Sequence, residues 1–228
     1  MNRLLGGLVT ALALLGTASC SHAPPQVVQV FTQVDRVFEP SSGWSARLSV
    51  FVQGADSDGT KVFDRLHLVH EGLGLYFTLD RDHWTAVERP GESWFGANDL
   101  SFPDGKVPLG EWRATLVTKA GLRVQTSFQV PPQPPDAPAP RTAQVEVSVL
   151  EPPPAPVLYQ VSGWVDDYLV WARDAKGTVL TRNKTVGDRF GLPPGTESFL
   201  LYSYDKARGE GLVAGPFSVK EVAKPADR

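Results

Sequence analysis

A single cysteine, four histidines and a net formal charge of only −3 set the first limits on this 228-residue chain. One cysteine, Cys20, leaves no partner for a disulfide within the chain, which removes the disulfide-stapled scaffolds common among exported proteins. The charge balance, 22 Lys plus Arg against 25 Asp plus Glu, is too even to steer nucleic acid, and no stretch gathers more than two or three basic residues among aromatics. No window sustains an amphipathic helical period over four turns, and the apolar run Leu4 to Gly16 is too short to span a bilayer. The chain also lacks a Gly-x-Ser-x-Gly elbow, a His-Glu-x-x-His pair and a phosphate-cradling Gly-rich loop. These absences point to a protein that is not an enzyme, although a triad assembled from distant residues would leave no mark in one sequence.

What is present is turn-forming and apolar: 21 Gly, 20 Pro and 42% hydrophobic residues, the composition of many short strands. Val107 to Val130 states the pattern. Trp112, Ala114 and Leu116 alternate with polar residues, and after Lys119-Ala120-Gly121 the alternation continues through Leu122, Val124, Phe128 and Val130. Period-two alternation across a Gly-containing loop predicts a hairpin with one dry face. Leu192 to Val219 repeats the sense of it, so two such closures imply two sandwiches.

The N-terminus carries Arg3, the apolar run Leu4 to Gly16, then Thr17-Ala18-Ser19 leading into Cys20. This resembles the lipobox of bacterial lipoproteins, departing from its common form in having Thr17 where Leu is usual. The resemblance implies cleavage after residue 19, acylation of Cys20, and an envelope protein held on its membrane by lipid. At about 0.8 kcal/mol per buried methylene, two or three acyl chains make that attachment nearly permanent. Ser21 after the cysteine, by the same resemblance, implies sorting to the outer membrane.

Along the mature chain, residues 20–26 read as a tether. Val27 to Phe38 is a first strand with Val28, Val30 and Val34 on one face; Trp44 to Val52 turns Trp44, Ala46, Leu48, Val50 and Val52 inward and leaves Phe51 facing out. About seven strands follow one another over 27–130. The ten residues PPQPPDAPAP, Pro131 to Pro140, cannot enter a sheet interior and read as a semi-rigid spacer, set as a linker over 131–141. Six strands then fill 142–220, interrupted by the prolines of Glu151 to Pro156, and a polar tail occupies 221–228. The pattern resembles immunoglobulin-like or fibronectin type III-like modules of bacterial envelope proteins. It implies an all-β chain of two immunoglobulin-like β-sandwiches, the second smaller, joined by the Pro-rich linker; without a cysteine pair the antibody type is excluded.

Four features invite a chemical reading. The loop Asp56-Ser57-Asp58-Gly59 is acidic, but a calcium loop aligned on Gly59 would need ligands at Gly54 and Arg65, so it reads as a hairpin turn. His67 and His70 point to opposite faces of one strand and cannot share a metal; Asp80, Asp82 and His83 read as a solvated turn. No metal or other cofactor is expected. The aromatics are the remaining candidates. Trp164 and Tyr168 flank the turn Val165-Asp166-Asp167 and could hold a sugar by stacking; the alternation of Tyr168, Val170 and Ala172 favours the plainer reading, that Trp171 and one neighbour fill the second core. Trp84 and Trp94 bracket Arg89-Pro90-Gly91-Glu92 and offer a second ligand site or two core anchors. The reading is a non-enzymatic membrane-anchored envelope protein that docks another envelope protein by edge-strand pairing; the alternative is a glycan or small-ligand binding module.

Overall fold

The computed structural model describes residues 24–222 apart from 58, 133, 135–138, 140, 141 and 152–156. Cys20 and the N-terminal segment read as a signal, much of the Pro-rich stretch read as a spacer, the prolines of 152–156 and residues 223–228 therefore lie outside the described residues.

Among the described residues the chain forms fifteen strands, two single-turn 3-10 helices and one four-residue α-helix. They are β1 (Gln26–Glu39), β2 (Gly43–Ala55), β3 (Phe63–His70), β4 (Leu75–Asp80), β5 (Thr85–Arg89), β6 (Glu92–Leu100), β7 (Gly110–Thr118) and β8 (Arg123–Val130). After residue 131 come β9 (Glu146–Glu151), β10 (Leu158–Ser162), β11 (Asp167–Arg173), β12 (Val179–Val186), β13 (Arg189–Gly191), β14 (Ser198–Asp205) and β15 (Glu210–Ser218), then α1 (Val219–Val222).

Three sheets result. An eight-stranded sheet in the order β12-β11-β14-β15-β1-β2-β6-β5 runs through the whole molecule. A four-stranded sheet, β4-β3-β7-β8, covers one half of its inner face, and a three-stranded sheet, β13-β10-β9, covers the other. Among the described residues every strand pair is antiparallel except β1 with β15, which is parallel from Val34 opposite Glu210 to Phe38 opposite Ala214. The sequence alone implies two sandwiches joined by a spacer; in the structure the first and last strands also pair directly, so the two halves share one sheet.

Alternation explains where the cores lie. Leu48, Val50 and Val52 on β2 and Trp112, Ala114 and Leu116 on β7 are all fully buried in the first core, with Leu66 and Leu68 of β3 and Phe95 of β6. The second core gathers Tyr159 and Val161 of β10, Tyr168 and Val170 of β11, Phe190, Phe199, Leu201 and Phe217. β1 serves both: Val30 and Val34 pack on the first core and Phe38 on the second.

Three local expectations change. An irregularity in the β1–β2 register between Val27 and Gln29 puts Val27 on the core and leaves Val28 more than half exposed. Leu122 is also exposed, because it closes the turn in which its carbonyl accepts the Thr118 N–H at 2.9 Å and Gly121 takes a positive φ. Trp44 packs on the second core, not the first, stacked on Trp164.

Candidate binding surfaces

The aromatic residues separate into core and surface by strand phase. Tyr168 alternates with Val170 and Ala172, all three buried, and its ring meets Phe190 edge-on at 6.4 Å. Burial, helped by the nearby charge of Asp188, pushes the Tyr168 phenol up to about 12. Trp164 is buried against Trp44, with ring centroids 6.3 Å apart and planes 9° from parallel. The buried Tyr168 hydroxyl and Trp164 indole N–H have no hydrogen-bond partner among the described residues. Neither residue can present an open ring face to a sugar, so the ligand platform considered at Trp164 and Tyr168 gives way to a role in the second core.

Trp84 and Trp94 also take different places. Trp84 follows the turn that Asp80 organises, its N–H bonded to the Asp80 carbonyl at 2.9 Å, and packs on Phe95 at the rim of the first core. Trp94 lies on the opposite, outer face of β6, in register with Gln53 of β2 and Val87 of β5. One step along the sheet, Phe51 faces Phe31 of β1 across the β1–β2 pair. Phe31, Phe51, Val87 and Trp94, with Arg89 and Asn98 at the margin, line an open groove of about 370 Å³. Phe31 is 47% exposed and Val87 37%, while Trp94 is half-buried and Phe51 buried, so the groove meets solvent through Phe31 and Val87. Glu92 accepts the Trp94 indole N–H at 3.0 Å and fixes the ring. Phe31 is the residue that reading the sequence misses. Its signal is its phase: Phe31 and Phe51 both stand on the side of their strands opposite the valines that fill the core.

The other half of the outer face is also aromatic. Trp171 stacks on Tyr202 at 5.5 Å, and the Arg182 guanidinium lies 4.8 Å over the Trp171 ring. Between the halves, at the β1–β15 seam, sits a buried polar group. Asp35 accepts hydrogen bonds from Gln33 Nε2 at 2.6 Å and from Ser49 Oγ at 2.8 Å. Burial raises the Asp35 carboxyl above the usual aspartate range against these hydrogen bonds, which lower it, and the Glu210 carboxylate raises it further. Gly211 of β15 makes room: a Cβ there would lie 1.9 Å from Asp35 Oδ1.

A second groove, about 900 Å³, opens at the far end of the smaller sandwich. It is lined by residues 145–148 of the β9 region, Gln160 and Ser162 of β10, residues 216–218 of β15, Glu221 and Val222 of α1, and the β1–β2 turn at Glu39 to Ser41.

The remaining candidates make hydrogen bonds within the fold. His67 Nδ1 lies 2.7 Å from Tyr76 Oη on the exposed face of β3, while His70 is buried on the other face with Nε2 2.9 Å from the Leu109 carbonyl. Asp80 and His83 form an exposed pair at 2.6 Å, which lowers the carboxyl and raises the imidazole, and Asp80 also accepts the N–H of Asp82. Gly59 donates its N–H to the Asp56 carbonyl at 3.0 Å, closing a turn. Among the described residues no three His, Cys, Asp or Glu side chains group as a metal site, and no helix is long and apolar enough to cross a membrane.

Strand content and sheet stacking thus define an all-β protein built of layered sheets, with one groove on the outside of the largest and another beside the three-stranded sheet. No family model matches the chain, and no curated protein matches it. Among solved structures it is similar to Tp47, the 47-kilodalton lipoprotein of Treponema pallidum, at 12% identity and a TM-score of 0.38, over 84% of this chain and 50% of that one. The chain spans half the length of that protein, and a likeness this slight carries no argument.

Proposed function

We propose that the chain is a non-enzymatic envelope lipoprotein, acylated at Cys20 and held at the outer membrane, that docks another envelope protein on the outer face of its eight-stranded sheet. In this reading two immunoglobulin-like units, joined at the β1–β15 seam and by the Pro-rich linker, form a stiff platform. The observation that carries it is the groove of Phe31, Phe51, Val87 and Trp94, an apolar surface on the solvent side of a sheet that no other described layer covers. Apolar patches of this kind, rimmed by polar residues, mark interaction surfaces.

Crosslinking the lipidated protein in its native envelope and counting what is recovered tests the docking. One protein partner at fixed ratio, lost when Phe31 and Trp94 are changed together to Ser and Ala, is the expected result. An unchanged set of crosslinks in that double variant would overturn it. Cys20→Ala tests the anchor, and should move the chain from the membrane to the soluble fraction.

The same groove supports a second reading, a glycan or small ligand stacked on Trp94, because Arg89 and Asn98 at the margin make no side-chain hydrogen bond or ion pair among the described residues and are available to a polar ligand. A saturable change in tryptophan fluorescence with cell-wall sugars, absent in Trp94→Ala, would favour it over protein docking.

A further inference from the structure

The β9 groove opens along an unpaired strand edge. β9 pairs with β10 on one side only, and among the described residues none of its own makes a further backbone hydrogen bond on the other. In an edge strand every second residue aims its N–H and C=O outwards, a row of polar groups that another strand can complete. The groove addresses that edge. Val145 and Val147 point to the core side and Glu146 and Ser148 to the outer side, yet all four line it. Beyond Ala214, whose partner is Phe38, no strand among the described residues pairs with the β1 side of β15, and Phe217 and Val222 form the apolar far wall.

Charge selects the occupant. Three carboxylates, Glu39, Glu146 and Glu221, line the groove, and among the described residues no Lys or Arg does. Arg47 and Ser42 hold Glu39, whereas Glu146 and Glu221 have no ion-pair partner among the described residues. A strand laid along β9 would set alternate side chains against Val147, Phe217 and Val222, and the intervening ones beside Glu146.

We propose that the β9 edge receives an extended segment of a partner protein that alternates aliphatic with basic residues, added as a fourth strand to the three-stranded sheet. The site rests on the reading of this chain as a protein-docking module, but it lies apart from the Trp94 groove and stands or falls separately.

A fluorescein-labelled octapeptide alternating lysine and valine, titrated into the full mature chain and followed by anisotropy, tests it. Binding should weaken at least about tenfold in the Glu146→Lys, Glu221→Lys double variant. It should be lost when alternate peptide nitrogens are methylated, and hydrogen exchange should slow in β9. Both substitutions are at open positions, and an unchanged melting temperature confirms that the variant is folded. Equal binding of a glutamate–valine octapeptide or of the methylated peptide, protection at β5 in place of β9, or no binding at millimolar peptide would each overturn the proposal. The Phe31 and Trp94 double variant should bind the octapeptide as the wild type does, so loss of the envelope crosslinks there tests the other surface alone.

Discussion

The two cores solve one packing problem with different side chains. The first has four strands on each side and is largely aliphatic: four of its fifteen buried residues are aromatic, Phe63, Phe95, Phe102 and Trp112. Among the described residues the second has three strands covering its half of the shared sheet, one of them three residues long, and seven of its thirteen buried residues are aromatic. A small sheet offers few side chains, so each must bury more area, and rings of about 150–250 Å² do that. The consequence is polar. Among the described residues the first core satisfies its Trp112 indole on the Pro108 carbonyl at 3.1 Å and leaves only His70 Nδ1, beside that ring, unpartnered, while the second leaves the Trp164 indole and the Tyr168 hydroxyl without partners. Area gained through Tyr and Trp brings donors that a thin layer cannot accommodate.

Truncating each core at its centre tests whether the difference matters to stability. Trp112→Ala and Phe199→Ala should each cost about 3–5 kcal/mol, read from urea denaturation. Because β1 contributes to both cores, the two losses should appear in one transition, with fluorescence and far-ultraviolet dichroism coincident. Two separated transitions would show that the cores melt independently and that the shared sheet does not couple them.

The seam between the cores gives the next effect. Gly211→Ala drives a methyl into Asp35 and Gln33 and should cost about 1–3 kcal/mol in the same assay. The Asp35 carboxyl is raised in the folded chain, so the folded state holds a proton more tightly than the unfolded one between the ordinary aspartate value and the raised value. Stability from this group therefore increases as pH falls through that window and decreases as pH rises through it. Asp35→Asn removes the dependence. The stability difference between the variant and the wild type should shift in favour of the wild type on acidification, and a pH-independent difference would show that Asp35 does not titrate abnormally.

The smallest effect bears most directly on the comparison. Tyr168→Phe deletes a buried hydroxyl that bonds to none of the described residues and keeps the ring, so stability should be unchanged or rise by up to about 1 kcal/mol. A loss above about 1 kcal/mol would mean that the hydroxyl has a partner and that the second core is as well satisfied as the first.

Facing was legible in the sequence; partnership was not. The alternations Leu48, Val50, Val52 and Trp112, Ala114, Leu116 place six fully buried side chains correctly, because period two reports which way a strand's side chains point. It also marks Phe51 as off the core face, the residue that proves to floor the outer groove. The β1–β15 pairing joins residues 34–38 to 210–214, and nothing local in either strand names the other. Arg189–Gly191 is too short to show a period at all. Trp84 and Trp94 look alike as a bracket around a turn, yet one belongs to the turn that Asp80 caps and the other to the outward phase of β6. Trp164 and Tyr168 flank polar residues, which suggests exposure, but the inward phase of Tyr168, Val170 and Ala172 is the stronger signal.

The parallel seam also decides how the molecule meets force. β1 begins at Gln26, six positions after Cys20, and is bonded along its length to β2 and over residues 34–38 to β15. With Cys20 fixed in a membrane as proposed and a partner pulling elsewhere, the load enters along the axis of β1. The hydrogen bonds to β2, perpendicular to that axis, and the slanted ones to β15 cross it and are then sheared together and do not unzip in succession. The strand nearest the anchor is thus gripped from both sides, one grip coming from near the far end of the chain, and the protein resists extraction as a clamp does.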